Sequence, residues 1–249
     1  MERTSNIDID IEKLKHIKKE LTRFMMAYKF ALDEMSTKIN VLKQEFEHVH
    51  EYNPIEHIST RLKSPESILN KIYRKNGELS LEWLKENMKD IAGIRVTCSF
   101  ISDIYRLSEM IQKQKDVEVI QCKDYIEHPK PNGYQSLHVI VKIPVFMSDR
   151  EEHVFVELQI RSIAMDFWAS LEHKIYYKYN KEVPKNLINE LKEAAVTAAE
   201  LDRKMEKLHN EINHLKKIDH SDELLTQLQI NNDKFHLPVE LLNIVTKAK

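Results

Sequence analysis

Three stretches in the middle of the chain alternate apolar and polar residues, while both flanks repeat with steps of three and four. This switch of period constrains the fold strongly. A strand sends successive side chains to opposite faces, whereas a helix returns to the same face after three or four residues. Ile94, Val96, Cys98 and Phe100 alternate with Arg95, Thr97 and Ser99. Leu137, Val139, Val141 and Ile143 alternate with Ser136, His138 and Lys142, and Val154, Val156, Leu158 and Ile160 with Phe155, Glu157, Gln159 and Arg161. Val117 to Cys122 reads as a further short strand. Strands with one apolar face each, separated by helices, predict an α+β fold: a mixed sheet of about five strands with helices on one face.

The helical flanks have their own signals. Over residues 8–50, Leu14, Ile17, Leu21, Phe24, Tyr28, Ala31 and Met35 form one face, and Asn53-Pro54 breaks the pattern. Ser64 is a good N-cap and Pro65 suits the first helical position, so a helix starts there, turns Ile68, Leu69 and Ile72 inward and ends near Gly77. Ser102 is expected to cap a helix over 103–115, with Asp103 in its first turn. Met165 to Tyr179 reads as one helix and Pro184 opens a long one. In that last helix Leu187, Leu191, Ala194, Ala198, Leu201, Met205, Leu208, Ile212 and Leu215 keep a heptad seam. Such a seam suits a partner helix; its alternative is one long helix lying on its own domain. Residues 221–249 are read as a further short helix or two. The expectation is a single domain over 1–249, with a core at 45–180 and helical flanks at 8–50 and 184–249 that drive self-association.

Composition narrows the function. Lys and Arg number 38 against 40 Asp and Glu, so bulk attraction to nucleic acid is not indicated and a basic site has to be local. Cys98 and Cys122 lie far apart in strand-like runs, which reads as reduced core cysteines and a cytoplasmic setting. The polar start MERTSNIDID is unlike a signal peptide, and no apolar run reaches membrane-spanning length. Gly77, Gly93 and Gly133 are all the glycines present, which excludes a P-loop and a GxGxxG loop.

Candidate chemistry gathers on the polar faces of the strands. Glu157, Gln159 and Arg161 project from one side of one strand, Ser136 and His138 from one side of another, and Arg95 from a third, just after Asp90. Asp90 and Glu157 match the few-carboxylate sites that hold Mg²⁺ with a nucleotide. Upstream, Arg61, Lys63, Ser64, Ser67, Lys71 and Arg74 place cations and hydroxyls at a helix start and down one side, a phosphate cradle in place of a P-loop. The loop DYIEHPKPNGYQSLH combines Pro129, Pro131 and Asn132-Gly133 with lysine and Tyr134, a ring suited to stacking on a base. The competing structural readings are an ordinary charged helix, a solvated sheet face and a surface loop with a core tyrosine.

The segments RLKSPESILNK, DIAGIRV, DYIEHPKPNGYQSLH, VELQIR and DFWASLEH, in this order and spacing, resemble the RelA/SpoT-type synthetases, in particular the short, synthetase-only form, over about 45–180. The resemblance implies a nucleotidyltransferase-like fold and transfer of pyrophosphate from ATP to the 3′-hydroxyl of GDP or GTP, making ppGpp or pppGpp in the stringent response. By resemblance Arg61 and Arg95 sandwich adenine, and Lys63, Ser67, Lys71 and Arg74 hold ATP phosphates. Asp90 and Glu157 hold Mg²⁺, with Glu157 also receiving the 3′-hydroxyl proton and Gln159 fixing that geometry. Tyr134 stacks on guanine, with Lys130, Ser136, His138 and Arg161 on the acceptor side and Asp166 reading guanine. It also implies a homotetramer through the helical flanks, no hydrolase domain, no ribosome sensing and no membrane. The alternatives are a catalytically inactive nucleotide- or RNA-binding regulator on the same fold, and a helical scaffold whose sheet caps a coiled coil.

Overall fold

The computed structural model describes residues 11–50, 52–176, 184–218, 227–230 and 233–236. A long helix, α1 (Ile11–Val49), leads into β1 (Ile55–Leu62), α2 (Pro65–Arg74), α3 (Leu81–Asn87), β2 (Ala92–Cys98) and α4 (Ile101–Gln112). Then come β3 (Glu118–Asp124), β4 (Leu137–Phe146), β5 (Glu151–Ser162), α5 (Ile163–Tyr176) and α6 (Lys185–Ile218). The sheet has five strands in the order β1-β2-β5-β4-β3, with β2 and β5 parallel and the other pairs antiparallel.

The expected α+β mixed sheet is what the chain forms. Ile94, Val96, Val139, Val141, Val156, Leu158 and Ile160 share one buried face, covered by α1 through Tyr28, Ala31, Met35 and Ile39 and by α4 through Ile104, Leu107 and Ile111. Each large apolar side chain buried there contributes about 1.5–3 kcal/mol. The opposite face keeps its polar residues. Ser64 caps α2 as anticipated, its Oγ accepting from the Ser67 N–H at 3.3 Å, with Pro65 at the first helical position.

Several local expectations need correction. β1 lacks a clean alternation because a bulge between Ile55 and His57 shifts its register, and it lies at the sheet edge with much of it exposed. It therefore left no period-two signal. Leu69 is not turned inward; it is 39% exposed. The helix expected over 103–115 begins at Ile101, and Ser102 is not its cap. The Asp103 carboxylate accepts from the Phe100 N–H, and Glu206 from α6 accepts from the Ser102 N–H at 3.0 Å, so free N–H groups at the helix start are satisfied from elsewhere. Cys98 is buried, but Cys122 is exposed on edge strand β3. In the tail, Gln227–Ile230 and Asp233–His236 pair as antiparallel strands, β6 and β7, where a helix was expected; the rest of the helical reading of 221–249 lies outside the described residues. The end of the helix expected to reach Tyr179 lies outside the described residues.

α6 lies on its own domain through only the first part of the heptad seam, where Leu191 and Ala198 are half-buried against Trp168 and Ala195. Its inner edge is Ala195, Ala199 and Asp202, all buried, while Leu201, Met205, Leu208, Ile212 and Leu215 are each about half exposed. Leu14, Ile17 and Leu21 on α1 are exposed likewise. Among the described residues no helix is long and apolar enough to cross a membrane. Replacing Leu158, 1% exposed at the centre of the sheet, with alanine should cost about 2–5 kcal/mol of stability by loss of burial and cavity formation. Denaturant unfolding checks this; a loss below about 1 kcal/mol would mean the core is not packed as described.

Candidate active site

The exposed face of the sheet carries two clusters that meet at Glu157. On one side, Lys63 follows the end of β1, and its N–H donates to the Ile91 carbonyl at 2.8 Å, which draws it alongside Asp90. Lys63 Nζ lies 2.5 Å from Asp90 Oδ2, and Lys71 from α2 donates to the same oxygen. Asp90 Oδ1 is buried and has no hydrogen-bond partner. Burial pushes the Asp90 carboxyl up, but the bonds from Lys63 and Lys71 outweigh it and hold the group below the usual carboxylate range. The partner moves in the opposite sense to a simple ion pair: burial pulls Lys63 down, and the nearby Lys71 and Arg61 charges reinforce this against the attraction of Asp90. With burial the largest cause for Lys63, the site is one acid shared by two ammonium groups, with the Arg61 charge beside them.

Arg61 on β1 is exposed and pairs across the strands with Gly93, whose missing side chain leaves a flat floor between Arg61 and Arg95. A cleft of about 280 Å³ lies there, lined by Ser59, Arg61, Lys63, Asp90, Arg95 and Glu157 among others. Larger hollows lie beside Arg23 and Phe146 and along α6 near Lys207, away from both carboxylates. Ser67 sits at the start of α2 with its Oγ accepting from Ser64 Oγ at 2.9 Å; Arg74, one helix turn beyond Lys71, is exposed.

On the other side, five residues close a ring of polar contacts. Gln159 Nε2 donates to Glu157 Oε2 at 3.0 Å, and Arg161 donates to Gln159 Oε1 at 2.9 Å and to Tyr134 Oη at 2.6 Å. Tyr134 Oη lies 2.8 Å from His138 Nε2, and His138 Nδ1 lies 3.5 Å from Glu157 Oε1. The arrangement suits a proton on Nδ1 facing the carboxylate and a lone pair on Nε2 accepting from tyrosine. Burial raises the Glu157 carboxyl, and Asp90 repels it, yet the bonds from His138 and Gln159 prevail and hold it below the usual range. Glu157 is thus an ionised carboxylate set beside a second acid.

Asp166, in the first turn of α5, accepts from Arg161 at 3.1 Å and lies 3.4 Å from Arg95, so it bridges both sides. Lys130 sits with its Nζ 4.7 Å from the ring centroids of both Tyr125 and Tyr134. Of the residues the pattern singled out, Ser136 does not join the cluster: it is fully buried and its hydroxyl donates to the Ile160 carbonyl at 3.3 Å. The adjoining Leu137 takes the register position, leaving only His138 from that pair on the open face. Sequence reasoning missed Ser59, because β1 itself left no signal, and Tyr125, whose ring stands edge-on to His138 at 5.1 Å. The dipeptide Asp124-Tyr125 beside the proline loop was the available clue.

The donor set fits Mg²⁺. Asp90 Oδ1 is buried without a hydrogen-bond partner, and Glu157, an ionised carboxylate, lines the same cleft. Among the described residues no group of three or more His, Cys, Asp or Glu could form a protein-only cage, and Mg²⁺ commonly takes one or two carboxylates and completes its shell with substrate phosphates and water.

The same region matches known proteins. Residues 60–182 match the family model described as the region found in RelA/SpoT proteins. The GTP pyrophosphokinase YwaC of Bacillus subtilis is 50% identical over 202 residues, 81% of this chain and 96% of that protein. The crystal structure of small alarmone synthetase 2 from Bacillus subtilis superposes with a TM-score of 0.71 at 50% identity, covering 77% of this chain and 99% of that one. Small alarmone synthetase 1 of the same organism superposes at 0.72 and 36% identity when bound to its product pppGpp, and at 0.66 and 34% when bound to AMPCPP, each covering 78% of this chain and 98% of that one. A shared sheet, a shared site region and half-identical sequence over nearly the full length of a relative establish that the chain belongs to the RelA/SpoT family, as a small alarmone synthetase.

Proposed function

We propose that this chain transfers pyrophosphate from Mg-ATP to the ribose 3′-hydroxyl of GDP or GTP, yielding ppGpp or pppGpp and AMP. The observation that supports it most is the cluster of cations around Asp90: Lys63 and Lys71 both pair with its Oδ2, the Arg61 charge acts on Lys63, and a triphosphate supplies the further negative charge these cations can hold. The relatives point the same way, one with pppGpp as product and an ATP analogue in the same protein.

Arg61 and Arg95 take adenine between planar guanidinium groups above the Gly93 floor. Lys63, Ser67, Lys71 and Arg74 hold phosphate oxygens along the start and side of α2. Asp90 and Glu157 hold Mg²⁺, which when bound neutralises charge on the transferring phosphates. Guanine stacks on Tyr134, displacing Lys130 from that ring toward the acceptor's 5′-phosphates, and Asp166 accepts from guanine N1–H and the 2-amino group. Glu157 takes the proton from the 3′-hydroxyl as that oxygen bonds to the β-phosphorus. The bond from the β-phosphorus to the oxygen bridging the α-phosphate breaks, and AMP leaves with that oxygen. Gln159 and His138 keep the carboxylate ionised and aimed. The setting proposed for the reaction is the cytoplasm.

The flanks support self-association. The exposed stripe from Leu201 to Leu215 on α6 and that from Leu14 to Leu21 on α1 expose more apolar helix surface than a monomer gains from showing water. The state favoured is a homotetramer; the number four comes from resemblance to the short synthetases.

Three outcomes are expected. Glu157→Gln keeps shape and removes the proton acceptor, so the rate of AMP formation from Mg-ATP and GDP should fall about 10²–10⁴-fold with the fold intact by circular dichroism; near-normal turnover removes Glu157 from its role, and binding of both nucleotides with no turnover in the unmodified protein favours a regulatory binder. Tyr134→Ala should raise KM for the guanine nucleotide by an amount equivalent to about 1–3 kcal/mol while KM for ATP changes little; equal effects on both would make the loop a general structural element. Light scattering at micromolar concentration should report an oligomer that Leu201→Glu with Leu208→Glu dissociates; a monomeric unmodified protein contradicts the association.

A further inference from the structure

Helix α6 touches three separate parts of the acceptor side through its inner edge. The Leu191 carbonyl accepts from Trp168 Nε1 at 3.1 Å, and Trp168 lies two residues after Asp166 on α5. One turn later Ala195 sits against the loop that carries Tyr134. Gly133 there has φ +91°, and a methyl group built on it would lie 2.5 Å from Ala195 Cβ. Two turns beyond, Asp202 is 5% exposed and accepts from Ser162 Oγ.

Ser162 is the hinge of this contact. It ends β5 directly after Arg161, it is fully buried, and its Oγ accepts from the Met165 N–H at 3.2 Å, at the start of the helix that carries Asp166. One carboxylate on α6 therefore anchors the hydroxyl that joins the strand bearing Arg161 to the helix bearing Asp166. Burial pushes the Asp202 carboxyl up, Ser162 pulls it down, Glu206 raises it again and the Arg203 charge lowers it, with the net shift upward. A buried carboxylate with one neutral hydroxyl donor is a costly way to dock a helix, and an apolar contact would dock it at less cost.

We propose that Asp202 is a positioning residue for the acceptor nucleotide: acting through Ser162 it sets Arg161 and Asp166, while Ala195 on the same helix sets the Gly133–Tyr134 turn. This rests on the assignment of guanine to Tyr134 and Asp166 given above. The bonds made by Asp202 and Leu191 run to β5 and α5, whereas the ATP phosphates are held by Lys63, α2 and Asp90; the link across is the 3.4 Å pair of Asp166 with Arg95, whose side chain is 41% exposed and not held by that pair alone. The consequence is a change in acceptor affinity that leaves ATP affinity in place.

The test uses the full chain and reads KM for GDP, KM for ATP, kcat, and the Kd for GDP by titration calorimetry. Asp202→Ala should raise KM and Kd for GDP about tenfold and leave KM for ATP within about twofold. Asp202→Asn, which keeps an oxygen to accept from Ser162, should restore most of the GDP affinity. Ala195→Val, which presses on Gly133, should weaken GDP in the same selective way, and it decides the matter if Asp202→Ala does not fold. Parallel rises in both KM values, or GDP affinity unchanged in both variants, would overturn the inference. The calorimetric Kd separates the two claims: GDP binding that ignores Asp202 overturns the positioning role while turnover stands, and selective loss of GDP binding without turnover sinks the reaction and leaves the positioning role.

Discussion

The parallel pairing of β2 with β5 is the constraint on which the site depends. Its register sets Gly93 beside Glu157 and Arg95 beside Gln159, and the antiparallel neighbours β1 and β4 then bring Arg61 opposite Gly93 and His138 opposite Gln159. Side chains alternate across a strand, so a slip of one residue would turn Glu157 into the core and Leu158 outward. Register is held by burial: Ile94, Val96, Val156, Leu158 and Ile160 all sit at or below 1% exposure against α1 and α4. Core packing and catalytic geometry are thus two faces of the same pairing.

Electrostatics divides the work between the two sides of Glu157. The donor side leaves cations in excess, with Asp90 holding two ammonium groups on one oxygen and none on the other. The acceptor side forms a ring of contacts, with Glu157, Gln159, Arg161, Tyr134 and His138 bonded in turn and only Arg161 Nε among them buried without a partner. An open, charged half suits the polyanion proposed for it, and a preorganised half holds Glu157, the proposed proton acceptor, ionised. Both carboxyls lie below their usual range for this reason, so both are charged at neutral pH; acid would remove that charge, and the stability it confers, as pH falls through the folded values.

Much of this was legible from the chain. The alternation in β2, β4 and β5 follows from burial on one face and charge on the other, so Arg95, His138, Glu157, Gln159 and Arg161 could be read from spacing. Ser64-Pro65 marked α2, and with it Lys71 and Arg74. What was not legible depends on tertiary partners. β1 is a bulged edge strand, so it carries no period. Ser136 falls in step with His138 but precedes the strand, where its hydroxyl meets Ile160. The start of α4 is satisfied locally by Asp103 but also by Glu206, more than a hundred residues away, so the sequence shows only half of the cap. The heptad seam was legible as a seam, but α6 packs on the domain with Ala195, Ala199 and Asp202 beside the seam residues Leu191 and Ala198, and the first three are too small and polar to stand out.

The central claim is that Asp90 and Glu157 direct an intact pyrophosphoryl group to the 3′-oxygen of a guanosine nucleotide. Phosphorus NMR of a single incubation of the pure protein with Mg²⁺, ATP and GDP tests it directly. The account predicts AMP and a guanosine carrying a 3′-diphosphate in equal amounts, with no ADP formed. ATP consumed to ADP, or AMP released together with free pyrophosphate and unmodified GDP, would contradict it.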